Sequence, residues 1–185
     1  RNPLLDIQYT SKRLTEKVDV LITLHRRENI PYLRCMLKSI IAAAGALTNH
    51  NFVVVKHSHP KIMEAIKDIE ESVPKNVKFI AALPHKIFIN TLKKCKLVLT
   101  DSGGVQEESA FFQVPTLVLR KKTDRLDGLD SGFVQVIGNQ FKDIETKIYD
   151  CLNNKHSEKS QLKYSNASST ISQKIYDFYL NGAKC

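Results

Sequence analysis

Two rhythms of apolar and polar positions alternate along this chain. Short, nearly continuous runs of β-branched and aliphatic residues stand at Val18–Leu24, Phe52–Lys56, Val77–Ala81, Leu97–Thr100, Thr116–Leu119 and Val134–Ile137. Runs of that length without strict alternation predict strands covered on both faces, as in a parallel sheet. Between them lie Tyr32–Ala46, Lys61–Ser72, Lys86–Cys95 and Gln106–Phe112. Their apolar residues recur near helical spacing, as in Leu33, Met36, Leu37, Ile40 and Ile41. Strand–helix alternation of this kind predicts an α/β fold: a Rossmann-like open parallel sheet with helices on both faces and right-handed crossovers. Residues 155–185 break the rhythm. Lys155–Ser169 is rich in Lys, Ser and Asn and predicts a solvated linker, and Ile171, Ile175, Phe178 and Leu180 predict a closing amphipathic helix.

With 185 residues the chain has room for one domain with a substantial core. No apolar run approaches the roughly 20 residues that cross a bilayer, and no secretory signal opens the sequence, so no membrane partner is expected. The first residue is Arg1, which leads to the expectation of a piece of something longer. The formal net charge of +9 fits a solvated basic surface, an anionic ligand or nucleic acid. The lysines are scattered and no aromatic stacking platform accompanies them, which argues against nucleic acid. Cys35, Cys95, Cys151 and Cys185 stand far apart without a C-x-x-C pair. They predict reduced thiols in a reducing, cytoplasmic compartment and no metal site.

Candidate chemistry gathers at the strand ends, where open parallel sheets bind ligands. Behind Leu97–Thr100 comes Asp101-Ser102-Gly103-Gly104-Val105-Gln106-Glu107-Glu108, with a helix expected from about Val105. Free N–H groups and the dipole at a helix start attract anions, and glycines let a phosphate approach the backbone. A carboxylate one turn further on can accept hydrogen bonds from a ribose diol. The stretch also reads as an ordinary turn whose glutamates are favoured by the dipole alone. Behind Val18–Leu24 comes His25-Arg26-Arg27-Glu28-Asn29, with cations for phosphates and a histidine for proton handling. It reads equally as a helix approach capped by Asn29 with Pro31 in the first turn. His57-Ser58-His59-Pro60 and Arg120–Arg125 follow two further strands, so four strand ends turn basic or polar groups to one edge, which points to a polyanionic ligand.

HRREN, DSGGVQEE and PTLVLRKKTDR together resemble the non-hydrolysing UDP-N-acetylglucosamine 2-epimerases over nearly the whole chain. The resemblance implies one half of a two-domain fold of the glycosyltransferase-B type, with residues 1–185 as its single C-terminal, UDP-binding domain and the N-terminal half absent. It implies interconversion of UDP-GlcNAc and UDP-ManNAc by anti elimination of UDP to 2-acetamidoglucal and its re-addition, with no cofactor and no metal. The whole enzyme would be a homodimer that takes its catalytic carboxylates from the N-terminal half. His25 would be the active-site histidine beside the diphosphate, Ser102, Gly103 and Gly104 would hold the phosphates, and Glu108 the ribose. Phe88 would pack on uracil, Arg125 would reach the nucleotide-sugar, and His57 would line the cleft. Arg26, Arg27, Glu28, Asn29, Asp101 and Glu107 are further candidates from the same motifs. Residues Ala82–Ile87, ahead of Phe88, depart from the family's pattern. Two other functions share this fold and remain open here: a glycosyltransferase domain and a non-catalytic UDP-sugar-binding subunit.

Overall fold

The computed structural model describes residues 17–125, 129, 132–138 and 143–153. The expected linker and closing helix of 155–185 lie outside the described residues. Six parallel strands, β1 (Val20–Thr23), β2 (Phe52–Val55), β3 (Val77–Ile80), β4 (Leu97–Thr100), β5 (Thr116–Val118) and β6 (Val134–Val136), form one sheet in the order β3-β2-β1-β4-β5-β6. In the middle, Val20 pairs with Phe52 on one side and Leu97 on the other.

Successive side chains of a strand point to opposite faces, and here both faces are dry. Val20, Ile22, Leu97, Leu99, Phe52 and Val54 pack with Met36, Leu37, Ile40, Ile62, Ile66, Ile144 and Ile148. These last residues belong to α1 (Leu33–Ala46), α2 (Pro60–Glu70) and α5 (Ile144–Asn153). The alternate residues Leu21, Val53 and Val98 pack with Phe88, Leu92, Val105 and Phe112 on the other face, where α3 (His85–Leu92) and α4 (Gly103–Phe111) lie. The unbroken apolar runs are therefore the signature of helices on both sides, and each fully buried aliphatic side chain contributes about 1.5–3 kcal/mol.

Three differences from the sequence expectation bear on the site or the core. Arg27–Tyr32 forms a 3-10 helix before α1, with Pro31 inside it and Arg26, not Asn29, at its start. The side chain of Asn29 points into the core, as described below. α4 begins at Gly103 rather than near Val105, so the two glycines read as a turn are the first helical residues, preceded by Ser102 in extended backbone. The helix α5 was not anticipated, although Ile144 and Ile148 sit one turn apart on its buried side. Among the described residues no helix is long and apolar enough to cross a membrane. Cys35, Cys95 and Cys151 are free thiols, and burial pushes the Cys95 thiol up to about 12.

The strand order doubles back between β1 and β4: chain that leaves β1 winds towards β3, then returns to β4 and winds the other way. A crevice opens at the carboxyl ends of the two strands flanking such a switch point. His25 follows β1, and Asp101-Ser102 follows β4.

Candidate functional site

A cleft of about 290 Å³ opens at this switch point. His25, Ser102, Gly104 and Glu108 line it from β1 and α4, Lys56 and His57 from the end of β2, and His85 and Phe88 from α3. Ala82 and Leu83 complete the wall.

α4 supplies a wall with the chemistry to attract an anion. The N–H of Gln106 closes onto the carbonyl of Ser102. The N–H groups of Gly103, Gly104 and Val105 belong to the first turn and have no intrahelical acceptor. The Ser102 N–H donates to Thr100 Oγ1 at 3.0 Å, and the Ser102 hydroxyl makes no capping bond. The two glycines face different surroundings. A Cβ on Gly103 would lie 3.4 Å from Arg125 Nε and 3.6 Å from a terminal nitrogen of Arg26, whereas a Cβ on Gly104 would meet nothing within 4 Å. Two guanidiniums thus converge beside a helix start whose dipole already favours negative charge.

Glu107 and Glu108 are neighbours with opposite duties. Glu107 Oε1 pairs with Arg125 at 2.8 Å, outside the cleft, and Glu108 Oε1 meets His85 Nε2 at 2.7 Å within it. Gln106, fully buried, accepts from Thr123 Oγ1 at 2.7 Å, and Thr123 Oγ1 accepts the Arg125 N–H at 3.1 Å. The helix therefore steers the Arg125 loop from beneath.

His25 stacks on His57, with ring centroids 5.2 Å apart and planes 14° from parallel. The His57 Nδ1 accepts the His59 N–H at 3.1 Å, which turns its remaining nitrogen elsewhere. Burial holds the His25 pKa below the ordinary histidine value. Asp101 pulls it up, while His57 and Arg26 push it further down. His50, just before β2 at the amino ends of the strands, is lowered by burial and then by Lys96, against the pull of Asp19. For both histidines the unfolded chain binds protons more tightly than the folded one. Their neutral forms therefore support the fold above the ordinary value, and that support is lost as pH falls through about 6.5 towards the folded-state values. Urea unfolding is expected to show lower stability at pH 5.5 than at 7.5, with a flatter profile after His25→Asn and His50→Asn. Equal stability at the two pH values would contradict the assignment.

The remaining candidates lie apart from the cleft wall. Arg27 is exposed on the 3-10 helix, and Glu28, also exposed, pairs with Arg120 at 3.0 Å. Asn29 and Asp101 are buried behind the wall. The sequence reading missed His85 and Lys56. His85 falls in the stretch that departs from the family pattern, and Lys56 sits at the end of a strand, with its ammonium 3.0 Å from Glu70.

The family model described as UDP-N-acetylglucosamine 2-epimerase matches residues 4–178. The chain belongs to this family. It is 34% identical over 126 residues to the UDP-N-acetylglucosamine 2-epimerase of Neisseria meningitidis serogroup A, covering 68% of this chain and 34% of the relative. With that of Bacillus subtilis it is 34% identical over 145 residues, covering 77% and 36%. Among solved structures, the Staphylococcus aureus MnaA complex with UDP superposes with a TM-score of 0.79 at 29% identity, over 98% of this chain and 49% of that one. The Neisseria meningitidis UDP-GlcNAc 2-epimerase bound to UDP-GlcNAc gives 0.77 at 27% identity, over 94% and 48%. The fold is thus the Rossmann-like half of a glycosyltransferase-B-type architecture. A glycosyltransferase of kitacinnamycin shares the fold alone, with a TM-score of 0.52 at 17% identity over 77% of this chain and 36% of that one. The chain spans about a third to a half of the length of these relatives.

Proposed function

We propose that this epimerase-family chain is the C-terminal, UDP-gripping domain of an enzyme that interconverts UDP-GlcNAc and UDP-ManNAc. In this reading residues 155–185 link and close the domain, and the whole enzyme is cytoplasmic and homodimeric. Unpaired Cys35, Cys95 and Cys151 support a reducing compartment. The observation that carries the nucleotide assignment is the convergence of Arg26 and Arg125 on Gly103, at a helix start that forms one wall of the switch-point cleft.

The diphosphate lies against Ser102, Gly103 and Gly104, where free N–H groups, the helix dipole and two guanidiniums meet the charge that grows on UDP as the C1–O bond breaks. His25, half-buried and stacked on His57, faces the same oxygens and can pass a proton to or from them. Phe88 lines the wall where uracil packs, and it also packs with Leu92 and Val98 in the core beneath. Glu108 accepts the ribose hydroxyls and is held ready by His85.

The two glutamates provide the test. Glu108→Gln is expected to reduce the preference for UDP over 2′,3′-dideoxy-UDP by about tenfold to a hundredfold, the loss of one or two hydrogen bonds to a charged acceptor. Glu107→Gln removes one of the two carboxylates paired with Arg125 and is expected to change the affinity for both nucleotides alike. Calorimetry in which both substitutions lower the preference equally would reduce the pair to dipole partners of α4.

A further inference from the structure

We infer that Asp101 is a positioning residue: its buried carboxylate fixes the His25–Arg26 turn against the start of α4, and so sets where imidazole and guanidinium stand towards a bound diphosphate. Asp101 has 0% of its surface exposed. Its Oδ1 accepts the His25 N–H at 3.0 Å, and its Oδ2 accepts the Arg26 N–H at 3.0 Å and Asn29 Nδ2 at 3.0 Å. Asn29 Nδ2 also donates to the Leu119 carbonyl at 2.8 Å. The Asp101 carbonyl accepts Arg26 Nε at 3.3 Å, and its N–H donates to the Thr23 carbonyl at 3.4 Å. One residue and its partner Asn29 thereby tie together the ends of β1, β4 and β5.

The donors around the carboxylate are two main-chain N–H groups and an amide, so its charge is spread over hydrogen bonds rather than cancelled by a cation. Such an arrangement is strong when complete and costly when one donor is lost. It also explains why a carboxylate is needed. Asparagine at 101 would turn an NH2 group towards one of the N–H donors. A direct role on the ligand is excluded by burial and by sign, because a carboxylate facing a diphosphate repels it. The same charge lies beside the ring of His25, with Nδ1 3.8 Å from Oδ1. The other groups facing that ring are His57, from the end of β2, and Arg26, next in sequence; Lys56, His85 and Glu108 line the cleft further out.

The consequence for binding rests on the diphosphate reading above, while the positioning itself can be measured without ligand. In the unaltered chain, the His25 and Arg26 amides are expected to exchange with solvent at least about tenfold more slowly than the amide of exposed Ser58. In Asp101→Asn they are expected to exchange at least about tenfold faster than in the unaltered chain. The His25 titration midpoint, read by NMR, should move to lower pH in this variant while that of His50 stays in place. UDP affinity should fall about tenfold, the loss expected for one hydrogen bond to a charged group. A general loosening of the fold would move His50 as well. Unchanged exchange and an unchanged His25 midpoint in folded Asp101→Asn would overturn the inference. Should that variant not fold, Asn29→Ala removes a single donor and the Leu119 tie, and unchanged exchange at Arg26 would then overturn it. Fast exchange of the His25 and Arg26 amides in the unaltered chain overturns it without any variant. If UDP does not bind but midpoint and exchange respond as expected, the diphosphate reading fails and the positioning role stands.

Discussion

Gly104→Val is expected to leave the fold intact and to weaken UDP binding by roughly a hundredfold or more, about 3 kcal/mol. The fold survives because a Cβ at this position would meet nothing within 4 Å. Valine is also a slightly better helix residue than glycine, so the exchange carries no propensity cost. Binding fails because the space that receives the branched side chain is the cleft wall itself, above the free N–H groups of the first α4 turn. Methyl groups there hold a phosphate off the backbone, and an N–H···O bond lengthened by more than about 0.5 Å loses most of its strength. Gly104→Ala should give an intermediate loss. Gly103 behaves differently: an added Cβ would stand in ordinary contact with Arg125 and Arg26, so a side chain branched beyond Cβ there presses on the two cations. Calorimetry that finds UDP affinity retained in folded Gly104→Val would move the phosphate site away from the α4 start.

That contrast between two adjacent glycines marks the limit of what the sequence discloses. The sheet is legible because both faces are covered, which leaves β1 and β4 as unbroken apolar runs. The position of the motifs at strand ends is legible for the same reason. The direction of each side chain is not, because it is set by partners from distant segments. Glu107 and Glu108 are about 100° apart around α4, and which of them enters the cleft is decided by Arg125 on one side and His85 on the other. Asp101 and Asn29 sit in motifs that suggest ligand contact, yet both turn inward because the ends of β1, β4 and β5 need acceptors and donors there. The early start of α4 has a similar cause. Glycine is a poor helix former by about 1 kcal/mol per residue, but Gly103 is buried and held at the strand-to-helix junction by its neighbours. The helix α5 carried a readable signal in Ile144 and Ile148, whose spacing of four matches one buried stripe.

The 185-residue chain by itself is expected to bind UDP and to leave UDP-GlcNAc unepimerised. Elimination requires a grip on the departing UDP and a base within hydrogen-bond reach of the C2 proton. In the proposed reading the grip is assembled from His25, Arg26, Arg125 and the start of α4. The base must stand elsewhere, because in an anti elimination the C2 proton leaves from the face opposite the departing oxygen. Groups wrapped around the diphosphate cannot reach that face. Among the described residues lining the cleft, the one carboxylate is Glu108, which is 2.7 Å from His85 and in the proposed reading serves the ribose. Asp101 is wholly buried. A missing general base alone costs about 10²–10⁴ in rate, and a cleft open on one side admits water that weakens every charge interaction inside it. Adding the part of a longer relative that this chain does not match should restore turnover, provided the two pieces associate. His25→Ala in that complex should then remove most of it while UDP still binds, because the α4 start and the arginines persist. Product analysis that finds UDP-ManNAc formed by the 185-residue chain alone would show that the proton is taken by a group within this domain, and the division of labour across the cleft would fall.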